Sequence, residues 1–286
     1  MTTRRQFLAA SAVAITGSSL VAADKVVPLV VIVMDPLSKE LSCPCVAGYA
    51  QRDYNELGKF LTEKLGKPVE VFYNETLSGT LTKKTAGKAD IIIGKDSVIL
   101  FQAKEEKIAV TKLASLSGKD GDTTQTGLLV VPTSDAVIGA DQLKDYRILF
   151  GPEAAIEKNA APKTLLKELN VTYTGEDKDI AATCSVCATK LVDFGKKGEK
   201  VCGVVSSYAM PLLEGCGTIN KGELKVIGKT DPVPFIAAYV ANTVPAEMQA
   251  KIKRALLELS KNEALCKVLE TKNGFVEVDD KPAKKK

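Results

Sequence analysis

The stretch VVPLVVIVM, residues 26–34, carries no charged or hydrogen-bonding side chain. A sheet with one solvated face alternates apolar and polar residues. An unbroken apolar run is expected instead where helices cover both faces, as in parallel α/β sheets. Downstream, Ala50, Tyr54, Leu57, Leu61 and Leu65 recur at spacings of three and four, one apolar stripe of a helix that Gly66 ends. Residues 69–73 read as a strand, 77–86 as a helix, and 89–93 as a strand stopped by Gly94. Residues 108–114 and 128–131 add strands. The order β-α-β-α-β implies parallel pairing through right-handed crossovers.

A second cycle follows. Residues 140–144 predict a short helix, 147–150 a strand closed by Gly151-Pro152, and 162–169 a helix with proline at its start, where a missing N–H is harmless. Residues 185–194 predict a helix, 201–205 a strand, 209–214 a short helix, and 245–259 a long C-terminal helix reached through strands at 226–228 and 235–240. Pro232 and Pro234 forbid regular sheet pairing around Val233, which suits a segment crossing between lobes.

The first residues bear on compartment. Thr3-Arg4-Arg5-Gln6-Phe7-Leu8 has the form of a twin-arginine export signal, followed by an apolar run and the small-residue site Val21-Ala22-Ala23. Residues 1–23 are therefore expected to be removed, leaving a protein in the periplasm. The chain has 39 basic and 35 acidic residues; without Arg4, Arg5 and the tail lysines Lys281, Lys284, Lys285 and Lys286 the balance is 33 to 35. A near-neutral body with 5% aromatic residues and no Trp argues against nucleic acid as a partner. Residues 276–286 read as a basic tail. With no histidine, the usual Ser/His/Asp hydrolase is excluded. Gly215-Cys216-Gly217 lacks the spacing and the following Lys-Ser/Thr of a phosphate-cradling loop. Catalysis is not expected.

Four sets of residues, in order, resemble the phosphonate-binding periplasmic proteins of ABC importers. They are Asp35-Pro36 after the first strand, Gly87-Lys88-Ala89-Asp90-Ile91-Ile92-Ile93-Gly94, Asp141-Gln142-Leu143-Lys144 with Arg147-Ile148-Leu149-Phe150-Gly151, and Thr230-Asp231-Pro232-Val233-Pro234 ahead of Pro245-Ala246-Glu247. The resemblance implies a type II periplasmic binding protein: α/β, two Rossmann-like lobes joined by a two-segment hinge. Residues 24–126 with 232–275 would form one lobe and 127–231 the other, hinged near 123–126 and 230–234. A monomer would close on a small-molecule ligand and present it to an importer permease. The resemblance places Asp35, Lys95, Asp96 and Ser97 at the first wall of the cleft, and Ser206, Ser207 and Tyr208 at the second. The family's Ser-Thr-Ser grip should follow Gly151, where this chain reads Pro152-Glu153-Ala154-Ala155-Ile156. The family's cleft histidine falls on Cys184-Ser185-Val186-Cys187. The second-lobe groups that would hold a phosphonate are therefore expected to be missing.

Seven cysteines remain to be explained. Cys43-Pro44-Cys45 and Cys184-Ser185-Val186-Cys187 both fall on loops aimed at the cleft, and Cys184 and Ser185 are counted as ligand contacts with Cys43 and Cys45. A thiol at a helix start has a lowered pKa. Cys43, Cys45, Cys184 and Cys187 together would suffice for Cu(I), Zn²⁺ or an Fe–S cluster, giving a metal-carrying or electron-transfer protein as the rival function. Disulfides are the alternative in an oxidising compartment, with Cys202 and Cys216 flanking one strand-and-helix unit as the candidate bridge. Cys266 sits at a core-like helical position and reads as a buried free thiol.

Overall fold

The computed structural model describes residues 27–42, 51–174 and 180–277. Two sheets organise it. The first is built from β1 (Leu29–Met34), β2 (Val69–Tyr73), β3 (Ile91–Lys95), β4 (Val110–Leu116), β11 (Ile236–Ala241) and β12 (Phe275–Val276), in the order β12-β4-β11-β3-β1-β2. The second has β6 (Gly127–Pro132), β7 (Arg147–Leu149), β8 (Val201–Ser206) and β9 (Leu224–Lys229), in the order β7-β8-β6-β9. Between them lies a two-residue antiparallel ribbon, β5 (Thr124–Gln125) with β10 (Val233–Pro234).

The first strand behaves as its composition demands. All six residues of β1 are buried, and their side chains divide between two apolar clusters on opposite sheet faces. Helices α1 (Tyr54–Leu65) and α7 (Ala246–Glu258) cover one face; α2 (Leu77–Lys83) and α3 (Asp96–Glu105) cover the other. Helix α1 starts at Asp53, whose carboxylate accepts from the Asn55 N–H, and stops at Gly66 in the left-handed region. In the second sheet, α5 (Cys184–Lys196) and α6 (Met210–Gly215) pack on one face and α4 (Ala160–Glu168) on the other.

Pairing is parallel where the β-α-β-α-β order implies it and antiparallel where later strands join. β2-β1-β3 is parallel, as the crossovers require. β11 returns from the second sheet and inserts antiparallel between β3 and β4, so those two remain parallel to each other without touching. In the second sheet β6 is antiparallel to both β8 and β9. Helix α3 begins directly after β3 and carries a weak apolar stripe, which is why its periodicity gave no warning. No helix among the described residues is long and apolar enough to cross a membrane.

Candidate functional site: a cleft between the two sheets

A cavity of about 940 Å³ opens where the carboxyl ends of β1 and β3 face the second sheet. Strand carboxyl ends are where open α/β sheets take ligands, because loops there are free of the crossovers' packing. Met34 and Lys95 line it from the first sheet, and Pro152, Lys158, Cys184 and Tyr208 from the second. Leu37, Leu41, Val98, Leu212 and Leu213 make much of the remaining wall apolar.

The turn that enters this cleft, Ile156–Lys158, is seated by two close approaches. A Cβ on Gly127 would stand 1.9 Å from the Glu157 carbonyl oxygen, and one on Gly151 would stand 2.5 Å from the Lys158 Cβ. Only glycine admits the turn at both places. The turn then delivers Glu157 across the cleft. Its Oε1 pairs with the Lys95 ammonium, from the end of β3, and accepts from the Ser206 hydroxyl at 2.7 Å, from the end of β8. Ser97 adds a second bridge, donating to the Ala154 carbonyl at 2.7 Å. A third is aromatic: Tyr208 stacks on Phe235, centroids 4.9 Å apart, with Lys95 over the Tyr208 ring at 5.8 Å and Arg52 over Phe235 at 5.7 Å.

Electrostatics follow from burial. Glu157 is wholly buried, and burial alone would raise its pKa. The Lys95 ammonium, the Ser206 hydroxyl and Lys158 outweigh that and hold the carboxyl below its usual range. Burial pulls Lys95 below the usual lysine range, with Glu157 opposing and Lys158 assisting. Lys158 is itself buried, lines the cavity, and has no ion pair or hydrogen bond to its ammonium among the described residues.

These groups add to the second wall two charged residues that the sequence reading did not name. The residues after Gly151 are indeed without hydroxyls, but the working side chains arrive later, at Glu157 and Lys158, immediately ahead of α4. The charged Glu157-Lys158-Asn159 run before an apolar-periodic segment was the available signal.

Of the expected contacts, Lys95, Cys184, Ser185 and Tyr208 line the cavity. Ser206 sits behind it, on Glu157 and on the Cys184 sulfur, to which its N–H donates at 3.4 Å. Ser207 is turned to the crossing segment, its hydroxyl accepting from the Thr126 N–H. Asp35 is instead structural: it is fully buried, and its oxygens take Arg52 at 2.8 Å, the Tyr54 hydroxyl at 2.6 Å and the Leu37 N–H at 2.9 Å. Asp96 is likewise spent, on Tyr239 and Lys112.

The cysteines regroup. Cys43 and Cys45 lie outside the described residues. Cys184, Cys187, Cys202, Cys216 and Cys266 are free thiols, so the Cys202–Cys216 bridge is not formed. The reason is the strand: Cys202 points to the α4 face of the second sheet, whereas Cys216 ends α6 on the other face. Cys187 packs against β8 beside Gly203 and does not line the cavity. Burial pushes its thiol up to about 12, the opposite of the lowered pKa expected of a helix start. The thiols that line the cavity among the described residues are Cys184 and Cys216. Among the described residues no three metal-ligating side chains converge. Cys266 is the buried free thiol expected of it.

Two sheets, two crossing segments and a cleft walled by both define a two-lobed binding protein of type II. The chain belongs to the family described as "ABC transporter, phosphonate, periplasmic substrate-binding protein", whose model matches residues 48–282. Solved structures share the fold. A binding protein component of an ABC phosphonate transporter from Pseudomonas aeruginosa is 16% identical, TM-score 0.63, over 88% of this chain and 82% of that one. XAC2383 from Xanthomonas citri, bound to ATP, is 12% identical, TM-score 0.62, over 88% and 91%. PhnD1 from Prochlorococcus marinus, in complex with methylphosphonate, is 14% identical, TM-score 0.60, over 88% and 93%.

Proposed function

We propose that the chain is the periplasmic solute-binding component of an ABC importer, and that it takes a small ligand into the cleft and closes on it by hinge motion. The observation that carries this is a cavity walled by both sheets beside a connection of only two paired residues, β5 with β10. Lobe 1 comprises residues 24–126 with 232–275, and lobe 2 residues 127–231, hinged at 123–126 and 230–234. Gln125 in this ribbon is buried with neither side-chain oxygen nor nitrogen bonded among the described residues, as suits a segment whose partners change with closure. Lys95, Cys184, Ser185 and Tyr208 serve as ligand contacts, joined by Lys158. Export by the twin-arginine route rests on Arg4 and Arg5.

A reporter is available because the chain has no Trp. Ala182 is exposed on the cavity wall, so Ala182→Trp places a single fluorophore at the cleft. A panel of phosphonates, carboxylates, amino acids, sugars and nucleotides is titrated while Trp emission and thermal unfolding are followed. A bound solute at a hundred times its Kd stabilises by about 2.7 kcal/mol. Neither signal moving with any class would overturn the reading.

A further inference from the structure

We infer that the cleft selects a small monoanion with an apolar body, of the chemistry of an aromatic or medium-chain carboxylate, and that Lys158 supplies its counter-charge. This rests on the solute-binding reading and narrows it. Lys158 is 6% exposed, its stem lies on Gly151, and its ammonium makes no hydrogen bond or ion pair among the described residues. Glu157 is already paired with Lys95, so an anionic solute at the cavity wall would give Lys158 an ion-pair partner of its own. Cys184 and Ser185, the first residues of the 13-residue helix α5, line the same cavity, and their amides add the positive end of the helix.

A second negative charge is disfavoured. Lys95, the cavity's other buried cation, and Ser206 behind it are already engaged by the Glu157 carboxylate. A dianionic headgroup would have to displace Glu157 or face it. The ligand's remaining bulk is set by the walls: a cavity of about 940 Å³ lined by Leu37, Leu41, Val98 and Leu212 suits an apolar body, whereas a compact dianion would leave those walls wet.

The test is calorimetric titration of the processed chain with phenylacetate and octanoate, against phenylacetamide, methylphosphonate and inorganic phosphate. A carboxylate is expected to bind at least tenfold more tightly than the neutral amide or the phosphonate. Lys158→Met should cost that carboxylate at least tenfold while leaving phenylacetamide within about twofold, and Lys158→Arg should retain binding. If Lys158→Met does not fold, the wild-type contrast of phenylacetate with phenylacetamide decides alone. Equal affinity for acid and amide, or an indifferent Lys158→Met, overturns the inference. Methylphosphonate or phosphate binding best also overturns it, while leaving the solute-binding reading intact. Failure of every solute in the wider panel removes both.

Discussion

Two buried ion pairs stand near the cleft floor, and they differ in what they connect. Asp35 and Arg52 belong to the same lobe, on the loop after β1 and the approach to α1; Tyr54 and the Leu37 amide complete the carboxylate's partners. Glu157 and Lys95 come from different sheets, and one Glu157 oxygen, Oε2, is left without a partner. In the first pair both Asp35 oxygens are satisfied and fix a loop, while Arg52 Nε makes no hydrogen bond among the described residues. The second is a contact between bodies that the proposed hinge must be able to part. A pair within one lobe can stay closed through a hinge motion, whereas a pair between lobes must open with it.

The largest expected effect breaks the first pair. Asp35→Ala strands the Arg52 guanidinium, 4% exposed, and should cost about 3–5 kcal/mol in chemical denaturation. Glu157→Gln should cost less, about 1.5–3 kcal/mol. The amide still accepts from Ser206, and Lys95, already pulled down by burial, sheds its proton more readily than an arginine can. If the pair holds the lobes together, the same variant expands the protein in small-angle scattering, and Asp35→Ala assayed below its unfolding transition does not. A loss from Glu157→Gln as large as that from Asp35→Ala would erase the distinction.

Acid sharpens the contrast. Glu157 titrates in the folded protein below its ordinary value of 4.5, so its contribution is fully present above about pH 4.5 and is lost as pH falls through the folded pKa. Wild-type unfolding free energy should drop across that acidic window more steeply than that of Glu157→Gln. Matching slopes would mean the carboxylate is not held as described.

The smallest effect concerns the thiols and leaves stability untouched. Cys184 faces the cavity, whereas Cys187 and Cys202 are buried with raised pKa values. Brief iodoacetamide treatment followed by peptide mass spectrometry should find Cys184 modified well ahead of Cys187 and Cys202. Equal labelling of Cys184 and Cys187 would place them in one environment after all.

Much of this was legible in the residues. The apolar run of β1, the stripe of α1 ending at Gly66, and the β-α-β order around Gly94 lead to α/β lobes, because burial on both faces leaves a compositional trace. The prolines beside Val233 pointed to the crossing segment through a missing donor, but did not forbid pairing there: Val233 and Pro234 pair with Gln125 and Thr124 over two residues. Lys95 and Tyr208, named through the family resemblance, line the cavity. Glu157 and Lys158 were not named, since a short charged turn before a helix looks like any solvated loop until something is packed over it. Asp35 failed the other way: a carboxylate at a strand end is a good ligand until an arginine 17 residues on folds back to take it.

By itself, then, the order of residues determined the class of fold, the place where the chain crosses between lobes and most of the elements, though not α3. These depend on local periodicity and on backbone chemistry that each residue carries with it. Tertiary structure alone decided the wedge of β11 between β3 and β4, the separation of Cys202 from Cys216 by the thickness of a sheet, and the choice of Lys95 rather than Lys158 as the partner of Glu157. Those are matters of which face a strand presents and which charge lies nearest in space, and neither is written in sequence distance.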